Sequence, residues 1–275
     1  MEFEVKDYTT SYKYYHNNNI CFATSAKLGT RFFKNFIKTL KCEKYNHPLN
    51  KSMFLYEMND TIPGDKEGYQ SHMLSNLFTT TDKVAFLIRN PDLRFASGVS
   101  TILSICEQRF FTANENGKEF MKSFFHNDIS EKDFEIGIDV FKENLRNFID
   151  TRNGEYLKNI IFDNIVPYCL TKDAHVEYHH YMAYHYMNVL RTNNISLKWL
   201  ELESLDNYIT SKQIENTGYY DEKKHSQNST SDTIYYSFVK LFLDAWKNQN
   251  KQLDFHIKTE WEYYSKIKAE YEVLL

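Results

Sequence analysis

Nowhere in its 275 residues does the sequence contain a run of about 18 apolar residues, so it offers no helix that could cross a membrane. Nor does it open like an export signal. Met1 to Lys13 is polar and charged where a secretory leader needs an apolar stretch, and a cytoplasmic protein is expected. Cysteine is scarce: Cys21, Cys42, Cys106 and Cys169 are widely spaced and sit mostly inside apolar runs. That spacing excludes a paired zinc or redox motif and predicts buried, reduced thiols. Positive charge is not in excess either, with 33 Lys and Arg against 37 Asp and Glu and a net charge of -4. A protein whose main task is gripping nucleic acid would be basic, so nucleic acid is not an expected partner. No internal repeat or low-complexity linker interrupts the chain, and a single domain over residues 1–275 is expected.

What is present describes a folded protein: 42% hydrophobic and 16% aromatic residues, with charges of both signs. Lysine outnumbers arginine 26 to 7 and there are 25 asparagines, a bias that reads as genome composition rather than chemistry. Short apolar runs at Asn19–Ala23, Met53–Tyr56, Val84–Ile88 and Leu197–Leu202 predict strands. Helical spacing of Phe32, Phe33, Phe36, Ile37 and Leu40 predicts a helix after the first of them. Asn90-Pro91 ends the third strand and opens a helix from Leu93 to about Phe110. Between about residues 107 and 171 the pattern is helical only. Ser130 and Asp133 are placed to cap a helix running to Ile149, and two further helices are expected at Asp232–Lys247 and Phe255–Tyr271. Strands alternating with helices predict an α/β fold: a central parallel sheet flanked by helices, with a helical insertion at about 107–171.

Two segments carry chemistry. Ser25-Ala26-Lys27-Leu28-Gly29-Thr30-Arg31 lies between a predicted strand and a predicted helix, where backbone N–H groups and the helix dipole converge on an anion. A nucleotide triphosphatase needs a glycine, four residues, then Gly-Lys-Ser/Thr. Here the upstream glycine is missing and the lysine precedes Gly29 by two. The third strand ends in Arg89-Asn90-Pro91 rather than in an aspartate able to hold magnesium. A metal-dependent ATP or GTP reading is therefore disfavoured.

Together these segments resemble the sulfotransferases. Lys27-Leu28-Gly29-Thr30 is similar to the Lys-x-Gly-Thr loop with which that family holds the 5′-phosphosulfate of 3′-phosphoadenosine 5′-phosphosulfate (PAPS). The segment from Val84 to Gly98 is similar to its 3′-phosphate segment: an apolar strand, Arg89-Asn90-Pro91, and Ser97 eight residues after the arginine. Arg94 followed by Ser97-Gly98 looks more like the carbohydrate-specific members. Trp199 to Leu205 resembles a strand and Glu-x-Leu turn found late in these enzymes.

The resemblance implies a P-loop-like sulfotransferase architecture, PAPS as donor, and a hydroxyl or amine acceptor on a small molecule or carbohydrate. It implies that Ser25 to Arg31 cradles the phosphosulfate, that Lys27 balances charge on the leaving oxygen, and that Arg89 and Ser97 bind the 3′-phosphate. The base that takes the acceptor's proton is expected to be His72, with Glu57 as the alternative. Two other readings stay open: a P-loop nucleotide-dependent kinase, and an inactive binding protein of the same fold. On its own residues, Arg94 is as well explained by an ion pair with Asp92 or Glu57, and Glu203 by bracing the helix at Leu205. His175 and His179, with His180 and His185 following, have metal-ligand spacing, but the tyrosines and methionines of Tyr178–Met187 read as a packing helix. No metal is expected. His175 is the candidate for an acceptor pocket.

Overall fold

The computed structural model describes residues 9–17, 20–25, 27–28, 56–61, 83–112, 131–168, 175–192, 195–205, 207–208 and 234–274. The fold is α/β. Strands β1 (Thr9–Asn17), β2 (Ile20–Thr24), β3 (Tyr56–Thr61), β4 (Lys83–Ile88), β5 (Ser196–Glu201) and β6 (Glu272–Val273) form one sheet in the order β3-β1-β2-β4-β5-β6. The described helices are α1 (Pro91–Thr112), α2 (Glu131–Thr151), α3 (Gly154–Ile160), α4 (His179–Arg191), α5 (Ile234–Gln249) and α6 (Lys251–Glu270).

The expected parallel sheet is found from β2 to β6, where each neighbouring pair is parallel. It is incomplete as a description, because β1 runs antiparallel to both β2 and β3. β1 lies partly in the segment that reads as merely polar. The strand predicted at Met53–Tyr56 is observed at Tyr56–Thr61, and the predicted helix at Phe32–Leu40 lies outside the described residues. β6, two residues long, had no apolar run to announce it.

The chain divides into two compact units. The sheet unit comprises Asp7–Arg94, Tyr178–Ser229 and Lys258–Leu275. Its central strand β4 is buried on both faces, as a covered parallel strand must be. Side chains alternate along it. Val84, Phe86 and Ile88 join Met182, Tyr186 and Leu190 of α4 with Tyr264 and Ile267 of α6 in one core. Ala85 and Leu87 join Phe22, Leu28, Leu200 and Tyr208 in another.

The helical unit comprises Met1–Lys6, Phe95–Glu177 and Thr230–Ile257. It contains the expected helical segment, with α2 at Glu131–Thr151, and α3 continues through a π-turn at Ile161–Ile165 to Tyr168. Rings fill its core. Phe148 lies 5.4 Å from both Tyr235 and Phe238, and Phe242 stacks on Trp246 at 5.8 Å. Tyr235 donates to Glu107 at 2.7 Å. Burial and that carboxylate push the tyrosine's pKa upward.

Three helix starts are asparagine caps, a use that compositional bias had hidden. Asn90 accepts from the Leu93 N–H at 3.2 Å, Asn153 from Glu155 at 2.9 Å, and Asn250 from Gln252 and Leu253 at 3.0 Å each. Each satisfies N–H groups that a helix's first turn leaves unpaired, typically worth about 1 kcal/mol. Pro91 follows Asn90 at the first helical position, where its missing N–H costs nothing.

Candidate functional site

The sheet unit brings two loops to one edge. β2 and β4 are parallel, with Ala23 opposite Phe86, and β4 and β5 are parallel, with Ile88 opposite Glu201. The strands therefore end level, and Ser25, Lys27 and Leu28 after β2, Arg89-Asn90 after β4 and Leu202–Ser204 after β5 all lie at the carboxyl edge of the sheet. In open α/β sheets this is the edge at which ligands bind.

At the end of β2, Thr24 and the following Ser25 are buried. The Leu28 N–H donates to the Ser25 carbonyl at 3.1 Å, closing a tight turn, and Leu28 is buried in the core below. Lys27 has φ 67°, the left-handed region that a residue with a side chain enters at a cost of roughly 1–2 kcal/mol. Holding a half-buried lysine in that conformation is the kind of local strain that collects at functional sites. Ala26, Gly29, Thr30 and Arg31 lie outside the described residues.

After β4, Arg89 donates from Nε to Glu203 Oε1 at 2.9 Å, a contact between a mostly buried guanidinium and a half-exposed carboxylate. Glu203 therefore braces Arg89, a role its sequence context did not specify. Among the described residues the pair uses only Nε, leaving the two terminal amino groups of the guanidinium fork for an anion.

Beneath the two loops lies a buried polar network. His179 and His180 open α4, whose N-cap residue Tyr178 supplies no side-chain cap. Glu260 from α6 does that work. Its Oε1 accepts from the His180 and Tyr181 N–H groups at 3.0 and 3.4 Å, and its Oε2 accepts from His180 Nδ1 at 2.7 Å. Arg94 Nη1 stands 3.7 Å from the same oxygen, with both side chains 2% exposed. A buried carboxylate is tolerable only with partners of this kind. Arg94 thus has an ion-pair partner 166 residues away in sequence rather than only the nearby Asp92 or Glu57 considered from sequence.

His179 Nδ1 lies 2.7 Å from Ser25 Oγ, and its Nε2 lies 3.4 Å from the Leu87 carbonyl. A carbonyl only accepts, so Nε2 carries the proton and Nδ1 accepts from the serine hydroxyl. Burial, then the Arg94 charge and His180, hold the His179 pKa well below the ordinary 6.5; the Leu87 bond opposes them without prevailing. The ring is neutral at pH 7.

The other expected residues fall elsewhere. Glu57 lies on β3, and its backbone pairs with Lys13, which pairs on its other side with Thr24. Glu57 is thus level with the end of β2 but two strands away, about 10 Å at the usual strand spacing. His72 lies outside the described residues. Ser97 belongs to the helical unit, buried on α1, where its carbonyl accepts from Thr101 Oγ1 at 3.1 Å. Beside it, Gly98 passes so close to the His175 backbone that an added Cβ would stand 1.9 Å from the carbonyl oxygen, so glycine is required there. His175 lies in a turn before α4 and does not share a helix face with His179. His185 packs between Tyr181 and Tyr263, at 4.4 and 5.8 Å. Among the described residues no group of three or more His, Cys, Asp or Glu is arranged to hold a metal ion, and no helix is long and apolar enough to cross a membrane.

Sequence reasoning overlooked Glu260 and gave His179 and His180 only packing or metal roles. One signal was available: two consecutive histidines open a helix whose preceding residue, a tyrosine, cannot cap it. Compared with known proteins, the chain matches no protein-family model, no curated protein and no solved structure.

Proposed function

We propose that this protein is a sulfotransferase that moves a sulfuryl group from PAPS to a hydroxyl or amine acceptor, with a carbohydrate as the favoured acceptor class. The observation that carries the reading is the convergence of Lys27 and Arg89 on one edge of the sheet, at the level ends of neighbouring parallel strands. These are the two cations that the sequence resemblance assigns to the two ends of the donor. Their chemistry suits a ligand with separate anionic groups: a lysine on a strained turn and a guanidinium fork already oriented by a carboxylate.

When bound, the donor supplies an activated sulfuryl group. Lys27 would hold the phosphosulfate and balance negative charge where it develops, and Arg89 would hold the 3′-phosphate that separates PAPS from ATP. His72 is the proposed base for the acceptor's proton, and Glu57, level with the end of β2, is its alternative.

Calorimetry on the full chain tests the reading. 3′-Phosphoadenosine 5′-phosphate should bind without divalent metal and more tightly than ATP with magnesium, and label from PAPS should appear on a carbohydrate acceptor. Tighter binding of ATP with magnesium would assign the protein to the nucleotide-dependent kinases instead. Bisphosphate binding with no transfer to any acceptor class would make it a nucleotide-binding protein without this activity.

A further inference from the structure

We propose that His179 and His180 are paired positioning residues that hold the Lys27 loop and the Arg89 loop in fixed register through opposite neutral tautomers. The inference rests on the reading of those loops as the donor site and adds to it the device that keeps the two cations at a set separation.

The geometry is specific. His179 bridges the ends of two strands: its Nδ1 receives the Ser25 hydroxyl from the turn after β2, and its Nε2–H is donated to Leu87 in β4. Ser25 also accepts, through its carbonyl, the bond that closes the turn around Lys27. Fixing the Ser25 side chain therefore fixes the residue from which Lys27 departs.

His180 performs the complementary task one residue later. Its Nε2 accepts from the Arg89 backbone N–H at 3.4 Å. A nitrogen that accepts has no proton, so the ring's proton is on Nδ1 and is donated to Glu260 Oε2. Glu260 in turn is held by the first N–H groups of α4 and by Arg94. Arg89 is thereby tied through its backbone to α4 and α6, while its side chain is turned by Glu203.

The two rings are in contact, with centroids 5.1 Å apart and planes at 78°, and both are fully buried. Each ring uses one nitrogen as donor and the other as acceptor, in opposite senses. In the wrong tautomer His180 would set donor against donor at the Arg89 N–H and acceptor against acceptor at Glu260, and His179 would set acceptor against acceptor at the Leu87 carbonyl, where no water can relieve the mismatch. A helix whose first turn merely needed capping would require Glu260 alone. Two adjacent imidazoles that each reach a different loop do more than cap a helix.

Two measurements on the full chain test this. Nitrogen chemical shifts of histidine-labelled protein at neutral pH should show His179 protonated at Nε2 only and His180 at Nδ1 only; the same tautomer for both, or a doubly protonated ring, overturns the inference whatever the ligand. Titration with 3′-phosphoadenosine 5′-phosphate is the second. His179→Phe removes both tethers and should weaken binding about tenfold, the effect of two lost hydrogen bonds. His179→Asn, whose amide oxygen can stand in for Nδ1 and receive the Ser25 hydroxyl, should recover most of the loss. Native protein that ignores the bisphosphate overturns the donor-site reading and this inference together. Native protein that binds it, with both variants binding equally well, overturns the positioning role alone.

Discussion

The cluster around Phe148 in the helical unit and the network around Glu260 in the sheet unit bury different chemistry. Around Phe148, Phe141 and Leu145 the helical unit packs rings and aliphatic side chains in non-directional contact, although it also buries Ser100, Glu177 and His256 and the Tyr235–Glu107 hydrogen bond. The sheet unit has an apolar core on each face of the sheet, but it also buries Arg94 and His180 against the Glu260 carboxylate, and His179 between Ser25 and the Leu87 carbonyl, contacts that demand a particular partner in a particular place. Dispersion and hydrophobic burial tolerate rearrangement as long as volume is kept. A buried polar network does not, because any partner removed leaves another group dry and unsatisfied. The Phe148 cluster is built to be filled, the Glu260 network to be aligned.

The comparison breaks first at Glu260. Glu260→Ala leaves Arg94 buried without its carboxylate and uncaps α4, so denaturant unfolding should register a loss of about 3–5 kcal/mol. A loss below about 1 kcal/mol would mean that the network does not fix the sheet unit.

A second test uses acidity. The folded His179 is held below its ordinary pKa of 6.5, so below that value the unfolded chain binds a proton that the folded chain refuses. Stability is then present in full above about pH 6.5 and falls as pH drops below it, by up to about 1.4 kcal/mol per pH unit from this group. In His179→Asn that share of the slope should vanish below about pH 6.5, and an unchanged slope would assign the acid sensitivity elsewhere. The smallest effect belongs to the helical unit: Leu145→Met, a swap that keeps volume, should cost less than about 1.5 kcal/mol by thermal unfolding.

What the sequence disclosed follows the range of the signals. β4, β5 and the start of α1 were legible because apolar runs bounded by Asn90-Pro91 are local signals. The two loops were legible because their residues are contiguous. β1 was not, since Thr9–Asn17 carries tyrosines among polar residues and is a strand by virtue of pairing with β2 and β3 on its two sides. The polar network was hidden for a stronger reason: Ser25 and His179 are 154 residues apart, and Arg94 and Glu260 are 166 apart. No window of sequence contains both members of either pair, and the residue types alone favoured a packing helix or a metal.

Glu260 also orders events in time. α1, α3 and α6 carry their own start signals, since Asn90, Asn153 and Asn250 lie within three residues of the groups they cap. The first turn of α4 has no such signal and waits for a carboxylate 80 residues further along the chain. Closing a loop of that length draws on chain entropy that local caps never meet, and contacts of long sequence separation are slow to form. On a chain emerging from the ribosome, the strands that carry Lys27 and Arg89 are therefore made well before the helix end that locks them. The two loops reach their final register only when α6 arrives.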